Sequence, residues 1–287
     1  MIEISQLEVH FGQVHAVDGL SLRIPTGSFY GLLGPNGAGK TTTLHCLAGL
    51  RRPDGGTIRA EGVDAVAEPR RLRRLLGLAP QHLALYPTLS VEENLRIFGG
   101  LAGLSGRRLT ERVNAGLALA SLESRRNHRV ETLSGGMKRR LNLACAMLHD
   151  PRILICDEPT TGVDPQSRNH IFETLRALRD AGRTIVYTTH HLEEVEALCD
   201  RVAIVDHGRL VAEGELPALL EPAKGIRSYE IELAEPTPAE AVRAALADGR
   251  LAVTSVRPAE RSLEDLFLEL TGRALRDADA GEAGSEP

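Results

Sequence analysis

The sequence of 287 residues, 42% hydrophobic and 25% charged, is long enough for one large domain, or one large and one small, with a sizeable core. A net charge of −5 argues against a general nucleic-acid binder, and no apolar run approaches the roughly 18 residues of a membrane-spanning helix. Cys46, Cys145, Cys156 and Cys199 lie far apart and read as reduced core residues, which argues against a disulfide framework or a structural zinc.

In chain order, "MIEISQLEVHFG" lacks the charged start and apolar stretch of a signal peptide, so a cytosolic protein is expected. "IEISQLEVHF" and "LSLRI" read as strands, and the turn Pro25-Thr26-Gly27 leads into "SFYGLLG", an apolar run suited to a buried strand. A glycine loop and the helix "KTTTLHCLAGL" follow. The cluster "RRLRR" at 70–74 reads as a solvated helix face. From about 88 to 150 the pattern is mostly helical, with a Ser90/Glu93 capping box ahead of Val91, Leu95, Phe98 and Leu101. A further helix over 135–149 has Ser134 as its N-cap and Met137, Leu141, Ala144 and Leu148 on one face. Strand "ILICD", helix "RNHIFETLRALRDAG", strand "TIVYTTH", helix "HLEEVEALCD" and strand "RVAIVDHGRLV" then alternate, which implies a parallel sheet with helices on its faces. Beyond "PALLEPAKG", Tyr229, Ile231 and Leu233 alternate as in a half-buried strand. "AEAVRAALADG" and "SLEDLFLELTG" have helical periodicity, the second opening on a Ser262/Asp265 capping box.

Three motifs carry chemistry. Gly34, Gly39, Lys40 and Thr41 match G-x-x-x-x-G-K-[ST] between a strand and a helix, so backbone N–H groups of the loop and the helix start would surround phosphates. Lys40 would reach the β- and γ-phosphates, and the Thr41 hydroxyl would ligate Mg²⁺. A compact ammonium suits that place where a planar guanidinium would not, in a chain whose other basic residues are almost all arginines. "ILICDEPT" sets Asp157 and Glu158 side by side at the C-terminal end of a strand, Asp157 to hold the metal and Glu158 to orient or deprotonate an attacking water. "LSGGM" at 133–137 is a second anion-binding helix start, with Ser134 offering a hydroxyl and Gly135 and Gly136 leaving N–H groups uncovered. One nucleotide does not need two such cradles on one chain.

With these motifs in this order, the sequence closely resembles the ATP-binding subunit of ABC transporters over roughly residues 2–215. The resemblance implies an α/β fold: a P-loop NTPase core with a β-rich N-terminal subdomain, a helical signature subdomain and a small C-terminal α/β domain. The ATP-binding domain would span 2–220, its helical part about 82–150, and the C-terminal domain 225–275. Residues 276–287, acidic and rich in small residues, are expected to be disordered. Gly34, Pro35, Asn36, Gly37, Ala38, Gly39, Lys40, Thr41 and Thr42 would hold the triphosphate of ATP. Gln81 in "LGLAPQH" would sense the metal and attacking water. His190 in "YTTHH" would contact the γ-phosphate and form the catalytic pair with Glu158, while His191 faces solvent. Asp164 in "TTGVDP" would lie at a dimer interface with Ser134, Gly135 and Gly136. Phe11 would stack on adenine, with Val17 packed beside it.

"LSGGMKRRL", "TTGVDPQSR" and the ending "SLEDLFLELTGR" are similar to the branch that pairs with ABC-2 type permeases, which includes daunorubicin-resistance-like exporters. The implied protein is a homodimer or heterodimer of ATPase subunits that closes around two MgATP. It would drive export of a drug, lipid, polysaccharide or other cargo from the inner face of the cell membrane, with no nucleic acid involved. The alternative is a non-transport ABC ATPase of translation, repair or assembly. Translation factors usually carry two ATPase domains with a charged linker and repair proteins long coiled coils, and this chain has neither. A kinase or GTPase reading leaves "LSGG" and His190 unexplained.

Overall fold

In a computed structural model of the chain, residues 1–221 and 262–272 are described, with the backbone of Tyr229–Leu233 and Val253–Pro258 and isolated positions between 238 and 245. The predicted helix "AEAVRAALADG" falls mostly outside the described residues, and the predicted disordered tail wholly so.

The centre is a six-stranded sheet in the order β10 (Arg209–Glu215), β9 (Arg201–Asp206), β3 (Phe29–Leu33), β8 (Thr184–Thr189), β7 (Ile153–Asp157), β6 (Leu76–Ala79). All its pairings are parallel except β9 with β10. Both faces are covered, and the side chains divide by period two. Tyr30, Leu32, Ile153, Ile155, Val186, Ala203 and Val205 enter one apolar cluster, while Phe29, Leu33, Leu154, Cys156, Ile185, Tyr187, Val202 and Ile204 enter another. Continuous apolar runs such as "ILIC" are what a sheet buried on both faces requires.

The first cluster is closed by a four-stranded antiparallel sheet of β2 (Val14–Ile24), β1 (Ile2–Phe11), β4 (Gly55–Ala60) and β5 (Val63–Asp64), with the helices α1 (Lys40–Leu47) and α2 (Pro69–Leu75). The second is closed by α6 (Pro165–Asp180), α7 (Leu192–Leu198), α8 (Leu216–Leu220) and α9 (Leu263–Thr271). A third cluster joins α3 (Val91–Leu101), α4 (Gly106–Ala120) and α5 (Gly135–Ala146). Strands β11 (Tyr229–Leu233) and β12 (Val253–Pro258) form a separate antiparallel pair. All four cysteines are free and buried. Among the described residues, no helix is long and apolar enough to cross a membrane.

Both expected capping boxes form, at Ser90/Glu93 and Ser262/Asp265. The arginines of α2 are exposed while Leu72 is buried, as a solvated face requires. Four elements of the 55–79 stretch, β4, β5, α2 and β6, were not anticipated beyond that face. "RVAIVDHGRLV" is not one strand but the hairpin of β9 and β10, turned by His207 at φ 47° and Gly208 at φ 74°. Helix α5 stops at Ala146, short of 149, and α6 begins at Pro165, earlier than expected, because Asp164 caps it by accepting from the Ser167 N–H at 2.9 Å.

The loop after Gln81 is pinned by one fully buried side chain. Asn94 of α3 accepts from the Tyr86 N–H at 2.8 Å and donates to the carbonyls of Tyr86 at 3.1 Å and Ser90 at 2.9 Å. Asn94→Ala is expected to lower folding stability by about 1–2 kcal/mol. It should also expose residues 82–90 to proteolysis, read by denaturant unfolding and limited digestion; a variant as stable and resistant as the parent would refute the pinning.

Candidate functional site

The register of the parallel sheet brings three strand ends together, with Leu33 of β3 opposite Thr189 of β8 and Thr188 opposite Asp157 of β7. Loops leaving the C-terminal ends of such strands line the crevice where ligands bind in open parallel sheets. Here they enclose a cavity of ≈ 320 Å³ lined by Ala16, residues 36–42, Gln81 and Glu158.

The loop from Gly34 to Gly39 is held from outside. The Ala38 carbonyl accepts from the Gly208 N–H at 3.2 Å. Gly39 sits at φ 95°, and a Cβ there would lie 2.3 Å from the Ala16 carbonyl oxygen, so only glycine fits. Helix α1 starts at once, with no side chain capping it and no acidic residue in its first turn. Its leading N–H groups and positive end are therefore open to an oxygen-rich anion without competition from a capping or acidic side chain. Lys40 is buried and donates to the carbonyls of Gly34 at 2.6 Å and Pro35 at 2.9 Å.

The two carboxylates stand opposite this loop. Asp157 Oδ1 accepts from the hydroxyls of Thr188 at 2.6 Å and Thr41 at 3.2 Å. Glu158 is only 6% exposed, with φ at +42°, a conformation costing a non-glycine residue about 1–2 kcal/mol. Thr188 holds it there, its carbonyl and hydroxyl both accepting from the Glu158 N–H, at 3.2 and 3.1 Å. Glu158 Oε2 accepts from Gln81 Nε2 at 3.1 Å and from the Thr161 hydroxyl at 3.2 Å. Its Oε1 lies 3.2 Å from His190 Nδ1 and 3.9 Å from Lys40 Nζ. Burial pushes the Glu158 carboxyl up, but His190, Lys40 and Thr161 outweigh it and hold the group below the usual carboxylate range. Glu158 is thus an anion at neutral pH, able to accept a proton or hydrogen bond.

These residues fit a magnesium-bound triphosphate. The Thr41 hydroxyl, the Asp157 carboxylate and the Gln81 amide oxygen are hard donors, and Mg²⁺ takes one or two carboxylates and completes its shell from water and phosphate. No group of three or more His, Cys, Asp or Glu able to hold a metal occurs among the described residues.

A second cavity, of ≈ 510 Å³, is lined by Ser134, Met137, Arg140, Asp164, Gln166, Ser167 and His170. Ser134 caps α5, accepting from the Met137 N–H at 3.3 Å, and Ser134, Gly135 and Asp164 are exposed. Gly136 is buried, and a Cβ there would fall 2.0 Å from Ser167 Oγ, so its small size also lets α5 and α6 approach each other. Arg139 of α5 joins the two regions, donating to the Gln81 carbonyl and, at 3.2 Å, to the Thr161 carbonyl.

Phe11 and Val17 do not line the first cavity. Val17 is fully buried in the core, and its neighbour Ala16 reaches the lining instead. Phe11 is 51% exposed, with the Arg51 guanidinium 3.9 Å from its ring centroid, so one face is covered and the other open. His191 is exposed and its ring lies 4.0 Å from that of His190. Thr188, Thr161 and Arg139 escaped the sequence reading. The only signal for Thr188 is a hydroxyl ending an apolar strand.

Residues 17–161 match the ABC transporter family. The chain is 38% identical over 311 aligned positions to the linearmycin resistance ATP-binding protein LnrL of Bacillus subtilis, spanning 96% of this chain and 100% of that protein. It is 39% identical over 318 positions to the daunorubicin/doxorubicin resistance ATP-binding protein DrrA of Streptomyces peucetius, spanning 99% and 96%. A solved ATP-binding cassette, a dimer in a post-hydrolysis state bound to ADP and phosphate, superposes with a TM-score of 0.68 at 26% identity, covering 75% of this chain and 99% of that one.

Gly136→Ala is expected to destabilise the fold by about 1–3 kcal/mol through overpacking against Ser167. Gly135→Ala, whose new methyl meets nothing nearer than 3.9 Å, should leave the melting temperature unchanged or slightly raised. Equal melting of the two variants would remove the packing explanation.

Proposed function

The chain belongs to the ABC transporter family and is one of its ATP-hydrolysing cassettes, and from that premise we propose that it is the ATPase subunit of an exporter, pairing with a second cassette around two MgATP. One observation carries the pairing. Ser134 and Asp164 line one cavity and Lys40 the other, and neither cavity shares a lining residue with the other. A nucleotide at Lys40 thus leaves the second cradle exposed, and a partner's nucleotide is the ligand that would fill it. The dimeric cassette with ADP and phosphate supports this reading.

In this reading the loop 34–39, Lys40 and the first turn of α1 bind the triphosphate. Thr41, Asp157 and Gln81 hold Mg²⁺, which when bound supplies charge neutralisation on the transferred phosphate. Glu158 orients and polarises the attacking water, and His190 positions Glu158 while facing the terminal phosphate. Phe11 stacks on the base with the ring face that Arg51 leaves open. Residues 2–220 form the cassette, about 82–150 its helical part, and 225–275 a small appended domain.

The membrane partner is a separately encoded permease of the ABC-2 type, and the cassette is held to the inner face of the membrane through it. The docking face follows Gln81, where Leu83, Tyr86 and Leu101 are 40%, 46% and 75% exposed. The resistance proteins to which the chain is similar carry the names of different drugs, which supports export; whether the cargo is a drug, lipid, polysaccharide or other substrate belongs to the permease.

Glu158→Gln is expected to reduce ATP turnover by about 10²-fold or more while nucleotide-dependent dimers accumulate, read by phosphate release and size-exclusion chromatography with ATP. Turnover near that of the parent, with no dimer, would show that Glu158 does not act on the water.

A further inference from the structure

One buried carboxylate lies beside the site without belonging to it. Glu194, in the first turn of α7, is 2% exposed. Its Oε1 accepts from the Thr160 hydroxyl at 2.7 Å, and its Oε2 from the hydroxyls of Tyr187 at 2.9 Å and Thr189 at 2.7 Å. Among these described contacts there is no cation, so three hydroxyl donors alone offset its desolvation. An apolar side chain of similar volume would fill the space but leave three buried hydroxyls without their acceptor, so it is these donors, and not packing alone, that the carboxylate serves.

The identity of the donors does. Thr160 follows Glu158 by two residues on the turn that leaves β7. Tyr187 precedes Thr188, which fixes both Asp157 and the strained Glu158. Thr189 precedes His190, and its hydroxyl also accepts from the His191 N–H at 2.9 Å. A single carboxylate thereby ties the turn carrying Glu158, the strand end carrying His190 and the helix that follows His190. Replacing either carboxylate oxygen with an amide N–H removes an acceptor from one side of this set.

Resting on the reading of Glu158 and His190 as the hydrolytic pair, we infer that Glu194 is a positioning residue, whose carboxylate clamps Thr160, Tyr187 and Thr189 and so sets the distance and angle between Glu158 and His190. It touches neither nucleotide nor water. Its removal acts on turnover through geometry, where small displacements of reacting groups are expensive.

The test uses the full chain with Glu194→Gln, Thr189→Val and Thr189→Ser. Turnover is counted per binding site, from the stoichiometry of a non-hydrolysable ATP analogue, so that unfolded protein does not enter. Glu194→Gln and Thr189→Val should each lower kcat about tenfold or more with affinity for the analogue within about twofold, and Thr189→Ser should restore most of the loss. The double variant Glu194→Gln/Thr189→Val should fall no further than the worse single one. Turnover per site within about twofold of the parent in the single variants, or losses that multiply in the double, overturns the clamp. Where Glu194→Gln fails to fold, Thr189→Val against Thr189→Ser decides alone. Glu158→Gln runs alongside: if it abolishes turnover while the Glu194→Gln and Thr189→Val variants stay within about twofold of the parent, the clamp alone fails, and if it keeps full turnover the hydrolytic reading fails instead.

Discussion

The convergence of charge on Glu158 is the constraint around which the molecule is arranged. A carboxylate 6% exposed at a strand end is tolerable only where cations or hydrogen-bond donors reach it, and Lys40, His190 and Gln81 arrive from three other segments while Thr161 reaches back from the same turn. The parallel register of β3, β7 and β8 puts those segments within reach, and the two apolar clusters on either face hold the register. The unfavourable φ of Glu158 is paid for by the paired hydrogen bonds to Thr188. Sheet, strain and electrostatics thus serve the placement of one side chain.

Around that point the chain is asymmetric. The face bearing Lys40 and the carboxylates is concave and charged, while Ser134 and Asp164 open onto a cavity of their own. Arg139 connects the helix behind Ser134 to the carbonyls of Gln81 and Thr161, beside Glu158. The helix that begins at Ser134 thereby reaches, through Arg139, the two segments whose Gln81 and Thr161 side chains hold Glu158. On the opposite side, α9 packs against α7, and Glu196 accepts from the Leu263 N–H at 3.0 Å, so the C-terminal segment rests on the helix that follows His190.

Legibility in the sequence tracked the range of the forces involved. Local hydrogen-bond devices were readable: the capping boxes at Ser90 and Ser262 and the N-cap at Ser134 need only three or four neighbouring residues. The apolar runs "ILICD" and "TIVYTT" were readable because burial on both faces removes any alternation. Short elements were not. β5 has two residues and β6 four, too few for a period to show. The β9 to β10 hairpin does carry a local signal, since His207-Gly208 is a pair suited to positive φ. Gly136 shows a deeper limit: the sequence shows a glycine able to bare an N–H, and its second need, room for a neighbouring helix, appears only when Ser167 is seen against it. Glu194 was invisible for the same reason, because an acidic residue in "HLEEVEAL" reads as solvated and only the fold turns it inward.

Two cavities on one chain and one nucleotide between two chains make opposite forecasts for mixed dimers, and that contrast is the most direct measurement. Dimers of differently tagged chains would be purified in two combinations and their ATP turnover compared. In the first, Lys40→Ala sits on one chain and Ser134→Arg on the other. In the second, both substitutions sit on one chain beside an unaltered partner. A site shared across the interface leaves one intact site in the first dimer and none in the second, so turnover should survive only in the first. Survival only in the second would mean that each chain completes its own site, and would contradict the shared site.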